Sequence, residues 1–329
     1  MNDGATPLII AAQEGHSDVV QALIDARADL NLATEAGATP LVVAAQNGHL
    51  GAVQALIDAL ADLNLAWGDG TTPLSMAAQN GHSGVVRALI DARADLNQPM
   101  KDGATPLIIA AQEGHTGVVQ ALISARADLN LARVDGVTPL FMAAQNCHYD
   151  VMKLLVAAGA NTNKANIDGW TPLHWAASRD DGDSLEVLIS GGADVCRKNG
   201  RGKTPSSLAA HRGHTRALGT LIAAGADMGV ALAGILQNLK KQRAAKAALR
   251  FENAALSAKI TGLSAEIAAL SAENAALREA ARDVLDSRLV AVKRECDDTQ
   301  EEFLDEQEEH HTMRAYVAVY AISATGADA

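Results

Sequence analysis

The chain has 329 residues, 48% of them hydrophobic but only 3% aromatic, and a formal net charge of −12. That length holds either two domains or one elongated repeat array, and an apolar mass of Ala, Leu, Val and Ile suits closely packed helices rather than a β-sandwich. The negative charge disfavours nucleic acid and anionic membrane as default partners.

The first residues, Met1-Asn2-Asp3-Gly4, form neither a basic n-region nor an apolar h-region, so no signal peptide is expected. The longest apolar stretches, Gly229 to Leu236 and Ala315 to Ala324, are too short to span a bilayer. Three scattered cysteines (Cys147, Cys196 and Cys296) fit a reducing compartment better than a disulfide framework or a zinc site. The chain reads as intracellular, with the cytoplasm expected and the nucleus as the alternative.

Thr-Pro recurs at Thr6, Thr39, Thr72, Thr105, Thr138, Thr171 and Thr204, each step 33 residues. Around it runs one template: Asp-Gly-x-Thr-Pro-Leu, a short apolar segment, Ala-Ala, Gly-His, Val-Val and Leu-Ile. Asp3 to Glu35 is nearly duplicated at Asp102 to Val134. In each unit the Thr is an N-cap and the Pro follows at the first helical position, where its missing N–H costs nothing. In the first unit Leu8, Ala11 and Ala12 face inward, Gly15 ends the first helix, and Val19, Val20, Leu23 and Ile24 form the apolar face of a second. No unit can bury its own face, so stability comes from stacking.

This template resembles the ankyrin repeat. The resemblance implies an all-α fold: a solenoid of seven helix-turn-helix repeats with short β-turn fingers over residues 1–228. It also implies a protein-binding surface of turn tips and first helices. The family's His after Thr-Pro-Leu survives only at His174; elsewhere stand Ile9, Val42, Ser75, Ile108, Phe141 and Ser207. The family's helix-ending Gly is Arg27, Leu60, Arg93 and Arg126 in the first four repeats and returns as Gly159, Gly192 and Gly225. If these positions are left-handed, each side chain costs about 1 kcal/mol, and the early repeats are the less stable ones. Leu8, Ile9 and Ile10 match the interior copy at Leu107, Ile108 and Ile109, so either upstream repeats precede this array or something covers that face. The former is the expectation. Repeat seven, with Ser206, Ser207, Arg212 and Arg216, is more polar.

From about Leu232 the composition turns to Ala, Leu, Glu and Lys, which reads as one coiled-coil helix over residues 229–322 with a disordered tail at 323–329. Leu249, Leu256, Leu263, Leu270 and Leu277 recur every seven residues as d positions, with Asn253, Ile260, Ile267 and Asn274 at a. Ile at a with Leu at d favours a parallel two-stranded coil, and Asn at a fixes register; a homodimer is the expected partnership. A second 3-4 pattern, offset by one residue, runs through Leu285, Leu289, Val292, Cys296, Thr299, Phe303, Glu306, His310, Met313, Val317 and Tyr320.

The candidate sites divide unevenly. His16, His49, His82, His115 and His214 recur in phase, but neighbouring helices lie about 8–10 Å apart and zinc ligands about 2.1 Å from the ion, so they read as structural hydrogen-bonders. The acids from Glu295 to Glu309 lack the spacing of a calcium loop. Leu270-Ser-Ala-Glu-Asn-Ala-Ala-Leu-Arg278 resembles the zipper of basic-leucine-zipper transcription factors. Asn238 and Lys246 keep that family's spacing with few charges around them for a DNA-binding helix, so the expected function is a protein-binding scaffold or adaptor, with a transcriptional regulator carrying a degenerate basic helix as the alternative. No phosphate loop, nucleophile elbow or His-Glu-x-x-His is present, so neither an enzyme, a cofactor nor a metal is expected. The residues before each Thr-Pro (Ala5, Ala38, Thr71, Ala104, Val137, Trp170, Lys203) and the pairs after Ala-Ala, among them Ser178 and Arg179, are expected to be exposed. Apolar turn residues Trp67, Met100, Val134 and Ile167, with Trp170 and Arg179, are the candidate protein-binding positions. The two tryptophans are the leading anchors.

Overall fold

The computed structural model describes residues 4–271, 288 and 290–294. These fall into two units, one of residues 1–208 with 216–226, the other of 209–215 with 227 onward. Among the described residues there is no strand, and the helices come in pairs, one pair per repeat. They are α1 (Pro7–Glu14) and α2 (Ser17–Asp25), α3 (Pro40–Asn47) and α4 (Leu50–Asp58), α5 (Pro73–Gln79) and α6 (Ser83–Asp91), α7 (Pro106–Glu113) and α8 (Thr116–Ser124). There follow α9 (Pro139–Gln145) and α10 (Tyr149–Ala157), α11 (Pro172–Ser178) and α12 (Gly182–Ser190), α13 (Pro205–Arg212) and α14 (Thr215–Ala223), and last the single helix α15 (Met228–Ser271).

Each first helix begins as its Thr-Pro demands. The hydroxyl oxygens of Thr6, Thr39, Thr105 and Thr138 accept the backbone N–H three residues on, satisfying a donor that would otherwise be orphaned. First helices then pack on first helices of the next repeat, and second on second, through α12. The Ala-Ala pairs permit the close approach: Ala44, Ala45, Ala77, Ala110 and Ala111 are all fully buried. Burying a Leu or Val is worth roughly 1.5–3 kcal/mol each, and every interior repeat contributes such residues from both helices, for example Leu107, Val118 and Leu122.

The Gly-His signal is a tie between repeats. Nε2 of His49 donates to the Gln13 carbonyl at 2.9 Å, that of His82 to Gln46, of His115 to Gln79 and of His148 to Gln112. Each acceptor is a C-terminal carbonyl of the preceding repeat's first helix, left free by the helix end. The ring lies against that repeat's helix-ending glycine: a Cβ on Gly15 would sit 2.5 Å from His49, and one on Gly114 2.5 Å from His148. Cys147 occupies the same left-handed position in repeat five, at φ 62°. A side chain is tolerated there because the following repeat has Asp181 in place of the His. Asp181 instead caps its own helix by accepting the Ser184 N–H. The backbone N–H groups of Asp62, Asp95, Asp128, Asn161 and Asp194 donate to Asn31, Asn64, Asn97, Asn130 and Asn163, one bond at each of the first five repeat boundaries.

Arg27, Leu60, Arg93 and Arg126 all adopt positive φ, between 61° and 68°, matching Gly159, Gly192 and Gly225. The left-handed turn is therefore kept where the glycine is lost. One expectation is corrected: Ala38, Thr71, Ala104 and Val137 are not exposed but 4–6% accessible. The finger folds its last residue back under the first helix, so this position is core.

Candidate protein-binding surface

Each finger is a tight turn closed by the backbone: Met100 N–H donates to the Ala104 carbonyl, and Gly103 N–H to that of Met100. Adjacent fingers are then joined. Lys101 N–H donates to Asp69, Val134 to Asp102, Ile167 to Asp135 and Gly200 to Asp168, at 2.8–2.9 Å. Gly103 has φ 85°, and a Cβ there would come 2.9 Å from the Arg133 Cα, so backbone approach itself requires glycine. The joined fingers leave their tip side chains facing outward. Val134 and Ile167 are 75% and 76% exposed on successive fingers.

Trp67 and Trp170 take a different place. Trp67 is half-buried against the cluster of Ile9, Ala38 and Val43 from the first two repeats. Met100 and Trp170 are half-buried against Ile108, Ile109, Val137, Phe141 and Met142. Trp170 stacks obliquely on Trp175 at 5.3 Å between ring centroids, and Phe141 meets Trp175 edge-on at 6.4 Å. Arg179 is exposed, with its guanidinium 5.6 Å above the Trp175 ring and one nitrogen 3.4 Å from the Cys147 sulfur. Of the pairs after Ala-Ala, Arg179 is exposed as expected, whereas Ser178 is buried and donates its hydroxyl to the Trp175 carbonyl. Trp175 was not among the sequence candidates. The signal lay in its column, where Ile10, Val43, Met76, Ile109, Met142 and Trp175 stand in turn on successive first helices.

His174 is wholly buried. Thr171 N–H donates to its Nδ1 at 3.2 Å, which places the ring proton on Nε2, and Nε2 donates to the Lys203 carbonyl in the next repeat. Burial holds its pKa below the usual imidazole value, against the opposing pull of the Lys203 carbonyl. In repeat three Ser75 serves the same N-terminus: its hydroxyl accepts from Thr72 N–H while Thr72 Oγ1 accepts from Ser75 N–H. The buried Thr71 hydroxyl donates to the exposed Asp69 and is the main cause of a lowered carboxyl pKa there. Arg133 bridges Asp102 and Asp135 on neighbouring fingers.

In the second unit, Leu249, Asn253, Leu256, Ile260 and Leu263 share one stripe of α15, with Leu256 and Leu263 51% and 56% exposed. Ile267 and Leu270 fall within the helix, while Asn274 and Leu277 lie outside the described residues. No described helix is long and apolar enough to cross a membrane.

Three copies of a family model for ankyrin repeats match residues 1–67, 60–133 and 125–199. The chain belongs to the ankyrin-repeat family. Among solved structures it is similar to the ankyrin repeat domain of Bcl-3, described as a unique member of the IkappaB protein family. Identity there is 29% and the TM-score 0.62, over 67% of this chain and 99% of that one. The human ASB11 ankyrin repeat domain is similar at 26% identity and TM-score 0.58, over 67% of this chain and 98% of that one. No curated protein matches. Ankyrin repeats mediate protein–protein interaction, and no catalytic family is indicated.

Proposed function

We propose that this chain is a scaffold or adaptor. Its repeat array binds a protein partner, and α15 joins it to a second copy, giving a two-headed binder that works in the cytoplasm. The observation that carries the binding half is the pair of exposed apolar fingertips, Val134 and Ile167, beside the Trp170–Trp175–Arg179 cluster. Aromatic and Arg side chains ringed by polar surface are the usual anchors of a protein interface. Exposed Ile and Val fixed on hydrogen-bonded fingers lose little conformational entropy on binding. Trp67 and Trp170 contribute through their exposed edges, since each also packs within its own repeats. The joining half rests on the heptad stripe of α15; two linked heads raise avidity without new contacts.

The test uses a peptide selected on the full-length chain from a displayed library. Its affinity is then measured by calorimetry against the chain carrying Val134→Asp and Ile167→Asp. Both side chains are exposed, so thermal stability should hold while affinity falls tenfold or more. Undiminished affinity for every selected peptide would remove the fingertips from the site.

A further inference from the structure

The fingers differ in charge along the array. They comprise residues 32–38, 65–71, 98–104, 131–137, 164–170 and 197–203. The first two carry one acid each, Glu35 and Asp69, and the next three one base with one acid. The last carries Arg197, Lys198, Arg201 and Lys203 and no acid. All four are exposed, and among the described residues none of them enters an ion pair. Like charges crowded into one turn repel each other, a field that a bound anion relieves.

These cations do not close the finger. Asp69, Asp102 and Asp135 each accept, through a carboxylate oxygen, the backbone N–H two residues on. Arg201 stands in their column, and the buried Asn199 does the work instead, its Oδ1 accepting the N–H of both Arg201 and Lys203 at 3.0 Å. A neutral amide thus replaces the carboxylate that would have offset the charge. The last finger is also an edge. A Cβ on Gly70, Gly103, Gly136 or Gly169 would come within 2.6–2.9 Å of the next finger's backbone, whereas among the described residues one on Gly202 would meet nothing within 4 Å.

Building on the reading of the fingertips as a protein-binding surface, we infer that the partner is an extended peptide segment, acidic at one end and aliphatic beyond, with its acidic end on the last finger. Gly200 N–H donates to the Asp168 carbonyl at 2.8 Å, so the basic finger adjoins the one that carries Ile167. Ile167 N–H donates in turn to Asp135, which continues the row to Val134. The Lys203 carbonyl accepts from His174, whose ring centre lies 5.9 Å from that of Trp170. Cationic, aliphatic and aromatic surfaces are therefore contiguous. A uniform polyanion such as nucleic acid fits poorly, because on leaving the last finger it meets the exposed Asp168. Lys164 of that finger is tied to the Asn130 carbonyl. Repeats stack about 10 Å apart and an extended chain advances about 3.3 Å per residue, so about three partner residues span each finger. The acids then lie about three positions from the first aliphatic residue and about six from the second.

The experiment selects peptides from a displayed random library on the unaltered full-length chain and measures each by fluorescence anisotropy. The selected peptides should share an acidic cluster at that spacing from aliphatic residues; a set without an excess of Asp and Glu would overturn the proposal. Lys198→Glu with Arg201→Asp, the latter the residue that four other fingers carry, should leave thermal unfolding unchanged and weaken these peptides about tenfold or more. Replacing the peptide's acids by Lys should restore affinity for that variant to within about threefold of the original pair. Peptides that lose affinity with Val134→Asp and Ile167→Asp but not with charge reversal would leave the protein-binding reading standing and overturn this one. Peptides indifferent to both changes would overturn both. Duplex DNA or phosphatidylserine vesicles competing for the finger as tightly as the peptides would make it a general anion surface, and that too would overturn the assignment.

Discussion

Repeat one and repeat four share the first-helix sequence Pro-Leu-Ile-Ile-Ala-Ala-Gln-Glu, yet Ile10 is 53% exposed where Ile109 is 8%. Val19 and Val118 differ in the same way, 48% against fully buried. Leu8 and Leu107 do not differ, nor do Ile9 and Ile108; all four are buried. One half of a repeat's apolar surface is covered from its own side of the stack, where the following repeat packs. The other half is covered only when a repeat precedes it. Local sequence is the same at both places, so the difference belongs wholly to the neighbours.

The sharpest way to break this comparison is to truncate the matched isoleucines. Ile109→Ala should destabilise the chain by about 3 kcal/mol, as a buried core truncation. Ile10→Ala should cost less than about 1 kcal/mol. Chemical denaturation of the full-length variants would show it, and equal losses would mean that exposure does not govern the energetics of the stack. The histidine tie comes next. His115→Ala removes the bond to Gln79 and the packing over Gly81, for about 1–2 kcal/mol. His16→Ala, in the repeat that no described repeat precedes, should stay within about 0.5 kcal/mol.

The third test looks for a position where the two repeats agree. Arg27 and Arg126 hold nearly the same left-handed backbone, φ 61° and 67°. Arg27→Gly and Arg126→Gly should therefore each stabilise by about 0.5–1 kcal/mol, less strain being partly offset by greater freedom of the unfolded chain. Unequal gains in thermal unfolding would show that the neighbour reaches even this turn.

The smallest signal is the pH dependence of repeat six. His174 has a lowered pKa in the folded chain, so the unfolded state binds its proton first as pH falls. Its contribution is fully present above pH 6.5, the ordinary value, and is lost progressively below it. His174→Ser, the residue repeat three uses, should flatten stability between neutral pH and pH 5. A slope that survives the substitution would assign it to another group.

Much of this was legible in advance, because the governing interactions are short in sequence. A 33-residue period, Thr-Pro caps and a glycine before each second helix specify where helices start and stop without reference to the rest of the chain. The column of Arg27, Leu60, Arg93 and Arg126 with Gly159, Gly192 and Gly225 raised left-handed turns as a condition, and the structure has them at all four non-glycine positions. What failed was exposure. The column of Ala38, Thr71, Ala104 and Val137 looked variable and therefore superficial, but small and β-branched residues also vary freely where a finger tucks under a helix. Trp175 escaped notice because a large apolar residue in a helical column reads as ordinary core.

The amino-acid sequence by itself determined the repeat, its helices and its caps, since each depends on hydrogen bonds between residues at most a few positions apart. It also carried the heptad stripe of α15. Only the tertiary structure decided which carbonyl each histidine ties, which of the apolar finger residues turn outward, and which of two identical isoleucines is buried. Those outcomes depend on atoms about 30 or more residues away, brought close only when the repeats stack.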